Sequence, residues 1–511
     1  MNEYVCLAPS VKLGKDVQFD PSHRMKSVFR ATAILSSSSL ATILFSVASA
    51  KITSVLLGPG GYGYLGLLQS LLGTGTLLLG MGVSTALVKE GAVALSREDQ
   101  QGVGSLREAG RLLSLLLGGV GAALLVLFRI PIGRWMLGQA QHTGPALLVG
   151  TALTFTLLAA TSTSTLNAHH RIKELAKAAV ITSLLSNLAT ILLVWRLGVR
   201  GILPAVVLAA TISLITVSYF VSRNIEAPPI SPTRGELVKS SRALLRFGIP
   251  YMASLLVGTG VNLVMPSVIL HTLGISAVGF YRASVAISVG YLGFMLAAMA
   301  QDYYPRVSAL ADHPDQLVDV VNQQHRLIML VVAPIILVAV AITPYLVPII
   351  YSAKFYPTVD LLEWQLIGDL FKFSSWTMSY VILVRCSSAV YFFTELSAGV
   401  LLALTSYAGI RIFGLPGLGI AFLITYVLYY IIVSVVVRRE IRLLWTPANK
   451  RMMLVATAMA LVVRIIPFTA LAMFRTPIAL LFAAVAGITS LLLIRKDFTG
   501  RKLILWNNNK T

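Results

Sequence analysis

The sequence predicts an all-α integral membrane protein of about fourteen transmembrane helices: two six-helix lobes related as a parallel repeat, then a C-terminal helix pair. Three observations carry this. The 511-residue chain is 56% hydrophobic and only 12% charged, with a mean hydropathy of +0.81. It contains many apolar runs of roughly 18 residues or more, each enough for a helix to cross the roughly 30 Å hydrocarbon layer. Two short segments also repeat at one offset. Leu57-Gly58 and Gly63-Tyr64 return 216 residues later as Leu273-Gly274 and Gly279-Phe280, and the same offset carries Gly198 and Gly201 onto Gly414 and Gly417. One Leu-Gly match means nothing in so apolar a chain, but two matched hairpins argue for duplication.

Residues 1–27 form a polar, mobile cytoplasmic tail. The first lobe, 28–223, holds spans at about 29–57, 62–88, 110–129, 145–166, 176–195 and 202–222. A cytoplasmic linker, 224–243, follows, rich in proline and then in Lys and Arg, with room for a short interfacial helix before Arg246. The second lobe, 244–438, holds spans at about 245–270, 277–299, 327–351, 360–384, 389–410 and 416–437. Residues 439–511 add spans at 452–474 and 476–494 and a basic tail. Arg464 and Pro467 fall within the thirteenth run, which reads equally as two half-crossings or an interfacial element. Six helices per lobe is an even number, so both copies run the same way and the symmetry axis lies along the membrane normal.

The net charge of +21 raises a nucleic-acid reading, which its distribution excludes. With the amino terminus in the cytoplasm, most Lys and Arg residues fall on cytoplasmic loops and helix ends, as the positive-inside rule requires. Both termini are then cytoplasmic. Clusters such as Arg438-Arg439 and Lys450-Arg451 anchor helix ends against anionic lipid, and no aromatic-interleaved basic surface is present. The apolar run before Ala48-Ser49-Ala50 is too long for a signal core, so no cleaved leader is expected.

Enzyme motifs fail on context. Gly58-Pro59-Gly60-Gly61-Tyr62-Gly63 spells G-x-G-x-x-G, but membrane helices flank it where a dinucleotide site needs a βαβ unit. No G-x-x-x-x-G-K-[ST] loop occurs. His169-His170 are adjacent, the wrong spacing for two ligands on one helix face, and Cys6 and Cys386 form no framework. We expect no cofactor, no metal and no enzymatic activity.

What remains is a small set of ionisable groups inside the spans, where charge is costly unless it faces a cavity or a partner. Lys51 lies near the extracytoplasmic end of the first span, and Arg282 near the same face of the eighth. Each reads either as a cavity cation or as a side chain snorkelling to the interface. Asp369 and Lys372 are three residues apart and share a helix face; they read as a structural ion pair or as a coupling site and a ligand. Arg464 reads as a lipid-facing or subunit contact, and Glu395 as a partner for a loop cation. The set is mainly cationic, and a cavity lined by Lys and Arg attracts an anion, phosphate above all.

One stretch carries a resemblance. Tyr351-Ser352-Ala353-Lys354-Phe355, then Leu361-Leu362-Glu363-Trp364-Gln365-Leu366-Ile367-Gly368-Asp369-Leu370-Phe371-Lys372, then Tyr391-Phe392 and Glu395, resembles the same region of Wzx-type flippases, as does the hairpin from Lys51 to Gly63. The likeness is nearest to flippases moving lipopolysaccharide O-antigen and enterobacterial common antigen units, and runs weakly along 28–438. It implies the fold of the superfamily that holds the MATE exporters and the lipid II flippase MurJ. It also implies a cargo, an undecaprenyl-diphosphate-linked oligosaccharide, moved from the cytoplasmic to the periplasmic leaflet of the bacterial inner membrane. The family's cationic lumen corresponds here to Lys51, Arg282 and Lys372, and the partners implied are that lipid, the bilayer and a polysaccharide polymerase complex. The last two helices depart from twelve-helix members. With no ATP motif, drive falls to an ion gradient, the membrane potential or product removal, with Asp369 the candidate coupling site. Two rivals remain: a MATE-type small-solute exporter, which would want acidic lobes, and a non-transporting assembly scaffold.

Overall fold

The computed structural model describes residues 21–138, 143–226, 231–466 and 474–508. Every described element is a helix. α1 (Pro21–Gly80) holds the first expected span and most of the second, with a break at Gly58, and the second span's last residues pass into the next helix. α2 (Val83–Ser96), α3 (Gln100–Leu127), α4 (Arg129–Leu137), α5 (Thr143–Ala168), α6 (Ile172–Leu197) and α7 (Ile202–Asn224) follow. Then come α8 (Arg234–Leu273), α9 (Ile275–Val285), a π-helical turn at Ala286–Tyr291, and α10 (Leu292–Ala309). α11 (Pro314–Ile350), α12 (Thr358–Arg385), α13 (Ser388–Phe413), α14 (Pro416–Ile441), α15 (Pro447–Ile465) and α16 (Arg475–Asn508) complete the chain.

Eight stretches among the described residues are long and apolar enough to cross a membrane; Ile172–Asn224 contains two of the expected spans, and Ser37–Gly80 takes in most of two more. The protein is a multi-pass membrane protein. The helices expected to span 245–270, 277–299, 360–384 and 452–474 fall outside these eight; for the first two, the described residues give only the shorter apolar helices Val264–Leu273 and Ile275–Ser288. α12 is rich in polar residues buried inside the protein, among them Glu363, Gln365, Asp369 and Ser374. α15 ends at Ile465, and residues 467–473 of the thirteenth run lie outside the described residues, as does most of the expected N-terminal tail. The helix already begins at Pro21, inside that tail.

The repeated glycines share backbone geometry. Gly58 has φ 64° and ψ −177°, and Gly274 has φ 86° and ψ 174°. An L side chain rarely adopts this region, and glycine adopts it freely. Gly198 and Gly414 repeat the match, with φ of 57° and 63° and ψ of −135° in both. Within the expected linker, 224–243, a capping box between Thr233 and Glu236 starts one helix that runs without a break into the second lobe, as far as Leu273.

Two bundles emerge from packing. α5 packs against α3 and α7, and α6 against α1 and α7; in the second group α14 packs against α12 and α13, and α11 against α12. α15 and α16 lie on α11, away from the first bundle. Asn449 binds the Asn322 carbonyl at 3.0 Å, and the Thr446 N–H donates to Asn322 Oδ1 at 3.0 Å, fixing the start of α15 to α11.

The bundles meet along α1 and α9, and again where α8 crosses α2. At the first crossing Gly63 lies against the Ile275 carbonyl, and Gly279 against the Pro59 carbonyl, with no space for a Cβ at either. Gly63 and Gly279 are themselves related by the 216-residue offset, so the pseudo-twofold axis passes through this contact. At the second crossing Gly82 and Gly248 are in backbone contact. With the amino terminus inside, these contacts lie toward the extracytoplasmic and cytoplasmic faces respectively.

Candidate functional site

Two adjoining cavities occupy the seam between those crossings and share Gln69. One, of about 420 Å³, is lined by Ser46, Ser49, Thr53, Asn187 and Thr190 of the first bundle and by Arg282 of the second. The other, of about 500 Å³, runs along α1 past Thr76 to Ser84 and Tyr251. Among the described residues, Arg282 is the one charged side chain lining either. The absent side chain of Gly66 leaves a groove for its stem. Its guanidinium donates to Gln69 Oε1 at 2.6 Å and lies 4.8 Å from the Tyr62 ring centre. Tyr62 crosses into the second bundle, meeting Tyr351 and Phe355 edge-on with ring centres 5.7 and 5.6 Å away. The guanidinium is therefore held against an aromatic face, with part of its donor fork still facing the cavity.

Lys51 crosses the seam in the opposite direction. Its ammonium donates to the Pro348 carbonyl at 2.9 Å. Pro348 lies in the last turn of α11, where carbonyls lack helical partners and carry the negative end of the helix dipole. Lys51 caps that end and so ties the bundles together close to the Gly63–Gly279 contact.

Lys372 is elsewhere. It lines a separate cavity of about 280 Å³ inside the second bundle, with Glu395, Tyr391, Tyr426 and Tyr429. Its ammonium lies 3.8 Å from Asp369 and 5.6 Å from the Phe422 and Tyr426 ring centres. Asp369 is fully buried and accepts from the Ser288 hydroxyl at 2.7 Å. The π-helical turn that carries Ser288 widens the helix at this point. The structure thus joins Asp369 to Lys372 as the spacing suggested, but it does not bring Lys372 into the cavity of Arg282. Glu395 accepts from the Tyr429 hydroxyl at 2.8 Å; its partner is an aromatic hydroxyl, where a loop cation was expected.

Arg464 departs from the lipid-facing expectation. It is buried and binds Asp360 at 2.9 Å and Glu363 at 3.4 Å, while Arg475 also pairs with Glu363. These pairs fasten the end of α15 and the start of α16 to the start of α12.

Breaking a buried pair costs more than deleting it, because one charge is left without a counterion. Asp369→Asn and Lys372→Ala should each lower the unfolding free energy by about 3 kcal/mol, and the double substitution should cost less than the sum. Thermal unfolding of the purified variants measures this. Strict additivity would remove the pairing as a source of stability.

With the geometry in place, comparisons with known proteins narrow the reading. A sequence profile described as a polysaccharide biosynthesis protein matches residues 52–360. The lipid III flippases of Escherichia coli (strain K12) and Shigella flexneri are each 27% identical over 153 residues, which is 30% of this chain and 36% of each relative. The match thus spans little more than a third of those relatives. The lipid II flippase MurJ in an inward closed conformation superposes with a TM-score of 0.68 at 14% identity, over 92% of this chain and 100% of that one. An inward-facing MATE multidrug resistance transporter superposes at 0.65 and 16% identity, over 82% of this chain and 99% of that one. At such identities these likenesses establish the fold, the one expected from the sequence.

Proposed function

The chain belongs to the polysaccharide biosynthesis protein family, and from that premise we propose that it is a flippase. Its cargo is an undecaprenyl-diphosphate-linked oligosaccharide, carried from the cytoplasmic to the periplasmic leaflet of the bacterial inner membrane, with both protein termini in the cytoplasm. The observation that carries this reading is the seam cavity, lined by hydroxyls and amides and, among the described residues, by one cation, Arg282. A glycan diphosphate cannot cross hydrocarbon unaided, since its polar groups would lose water without replacement. Hydroxyls and amides replace part of that solvation for sugars, and the guanidinium fork suits a phosphate. The polyprenyl tail stays in lipid throughout.

Alternating access follows from the two glycine crossings. Parting at Gly82–Gly248 admits the headgroup from the cytoplasm, and parting at Gly63–Gly279 releases it. Opening the Gly63–Gly279 crossing also pulls Lys51 from the Pro348 carbonyl, so its ammonium becomes a second phosphate ligand beside Arg282. Lys372, with Asp369 and Glu395, acts inside the second bundle, and Asp369 is the candidate ion-coupling group. A polysaccharide polymerase complex receives the product.

The test is complementation of a strain lacking its lipid-linked oligosaccharide flippase, with membrane abundance checked by immunoblot. Restored surface glycan is the expected result. Drug efflux without glycan display would favour the MATE-type exporter instead.

A further inference from the structure

Another polar cavity lies away from the seam. It measures about 550 Å³ and is bounded by α3, α5 and α7, none of which contributes a glycine to the two crossings. α3 presents Arg107 and Arg111 to it, one helical turn apart. Arg111 is paired with Glu108 at 3.1 Å. Arg107 makes no ion pair or hydrogen bond among the described residues, although it lies only about 10 Å along a helix of membrane-spanning length.

The hydroxyls around it divide into two groups. Thr161 and Thr165 donate back to the Leu157 and Thr161 carbonyls, the usual resort of a helical hydroxyl in an apolar setting. Ser162 and Ser218, which also line the cavity, make no such bond among the described residues. A half-buried guanidinium and two free hydroxyls therefore converge on one space. Half-buried donors at the edge of a membrane span call for a partner.

The outer wall indicates what that partner is. Ile215 and Tyr219 of α7, one turn apart, border the same cavity and are 64% and 53% exposed. Arg223 lies over the Tyr219 ring at 5.8 Å. Polar donors thus lie behind an apolar rim that opens onto the bundle surface, at the end of α3 expected to face the cytoplasm.

We propose that this crevice binds a phosphate ester, with Arg107 and Arg111 on the phosphate oxygens and Ser162 and Ser218 donating beside them. The apolar rim suits a phosphate carried on a lipid of the cytoplasmic leaflet, whose chains run along Ile215. The inference is independent of the cargo proposal, because none of these residues lines the seam cavities.

The full-length protein, reconstituted in phosphatidylcholine nanodiscs with a minority of phosphatidylglycerol and then released into detergent, is analysed by native mass spectrometry. Wild type should retain phosphatidylglycerol over phosphatidylcholine. Arg107→Gln should cut that retention about tenfold, the loss of one charge-assisted contact, and Arg107→Lys should cut it less. Ser218→Leu, which fills the crevice and keeps both arginines, should also lower it, while Arg97→Gln at the end of α2 should not. Inorganic pyrophosphate is titrated in parallel into lipid-free protein. Binding that Arg107→Gln abolishes, without phosphatidylglycerol retention, assigns the crevice to a soluble phosphate; retention alone assigns it to a lipid headgroup. Equal retention of both lipids by wild type, with no pyrophosphate binding, overturns the proposal, as does retention unchanged in both Arg107→Gln and Ser218→Leu.

Discussion

Gly63→Ala and Gly279→Ala should each abolish glycan display while leaving protein abundance in the membrane unchanged. A Cβ at Gly63 falls on the Ile275 carbonyl oxygen, and one at Gly279 falls on the Pro59 carbonyl oxygen. The obstructing atoms are backbone on both sides, so no side-chain rotation relieves the clash and the helices must separate. Overpacking of this kind costs about 1–3 kcal/mol. That is enough to shift an open–closed equilibrium roughly 5- to 150-fold toward the state parted at this crossing. A transporter held in one state does not turn over. Gly60→Ala is the control, since its added methyl meets only the Ile275 and Ser276 side chains at 3.6 and 3.7 Å, ordinary van der Waals distances. Because repeat symmetry makes the two glycines equivalent, the two losses should match. Normal display from either variant would remove this contact from the transport cycle.

The offset that makes this prediction was readable before any coordinates. Leucine-glycine pairs are common in apolar chains, but a hairpin glycine forced to positive φ is a local property, so a duplicated fold keeps it in both copies. Gly58 with Gly274, and Gly198 with Gly414, are legible for that reason. The contact of Gly63 with Gly279 was not legible. The sequence relates them by symmetry, yet only the docking of one bundle on the other places them face to face.

The site was legible in composition and illegible in direction. Charge in an apolar run marks Lys51, Arg282, Asp369 and Lys372 without any structure, because hydrocarbon penalises it. The Asp369–Lys372 pair follows from helical spacing alone. Where Lys372 and Arg282 point relative to one another does not, since a helix buried on nearly every side, as α12 is, gives no periodic signal of which side meets the cavity. The partners missed are those distant in sequence or uncharged: Gln69 for Arg282, the Pro348 carbonyl for Lys51, Glu363 for Arg464 and Arg475. Gly66 held a weak clue, a small residue one turn from Gly63 that leaves space for a long side chain. A carbonyl freed at the end of α11 left none.

Reversing charge at Lys51 and Arg282 should produce the other large loss. At about 4 Å and an effective dielectric near 20, a carboxylate facing a diphosphate is disfavoured by about 4 kcal/mol, on the order of a thousandfold in binding. Arg282→Glu meets this in full, because Arg282 is the charged residue lining the seam cavity. Arg282→Lys should retain only part of the display, since an ammonium keeps the charge and loses the fork. Lys51 needs a finer series, because it both bonds the Pro348 carbonyl and supplies charge. Lys51→Gln keeps an N–H donor for the carbonyl and loses the cation; Lys51→Met loses both; Lys51→Arg keeps both. If the ammonium passes from the carbonyl to the phosphate during the cycle, Lys51→Gln should fail nearly as badly as Lys51→Met, and Lys51→Arg should work. Normal display from Lys51→Gln beside failure of Lys51→Met would confine Lys51 to holding the bundles together. Complementation with abundance checked by immunoblot reads all of these, and full display by the Lys51→Glu/Arg282→Glu double variant would refute the cationic seam and return the small-solute exporter as the better reading.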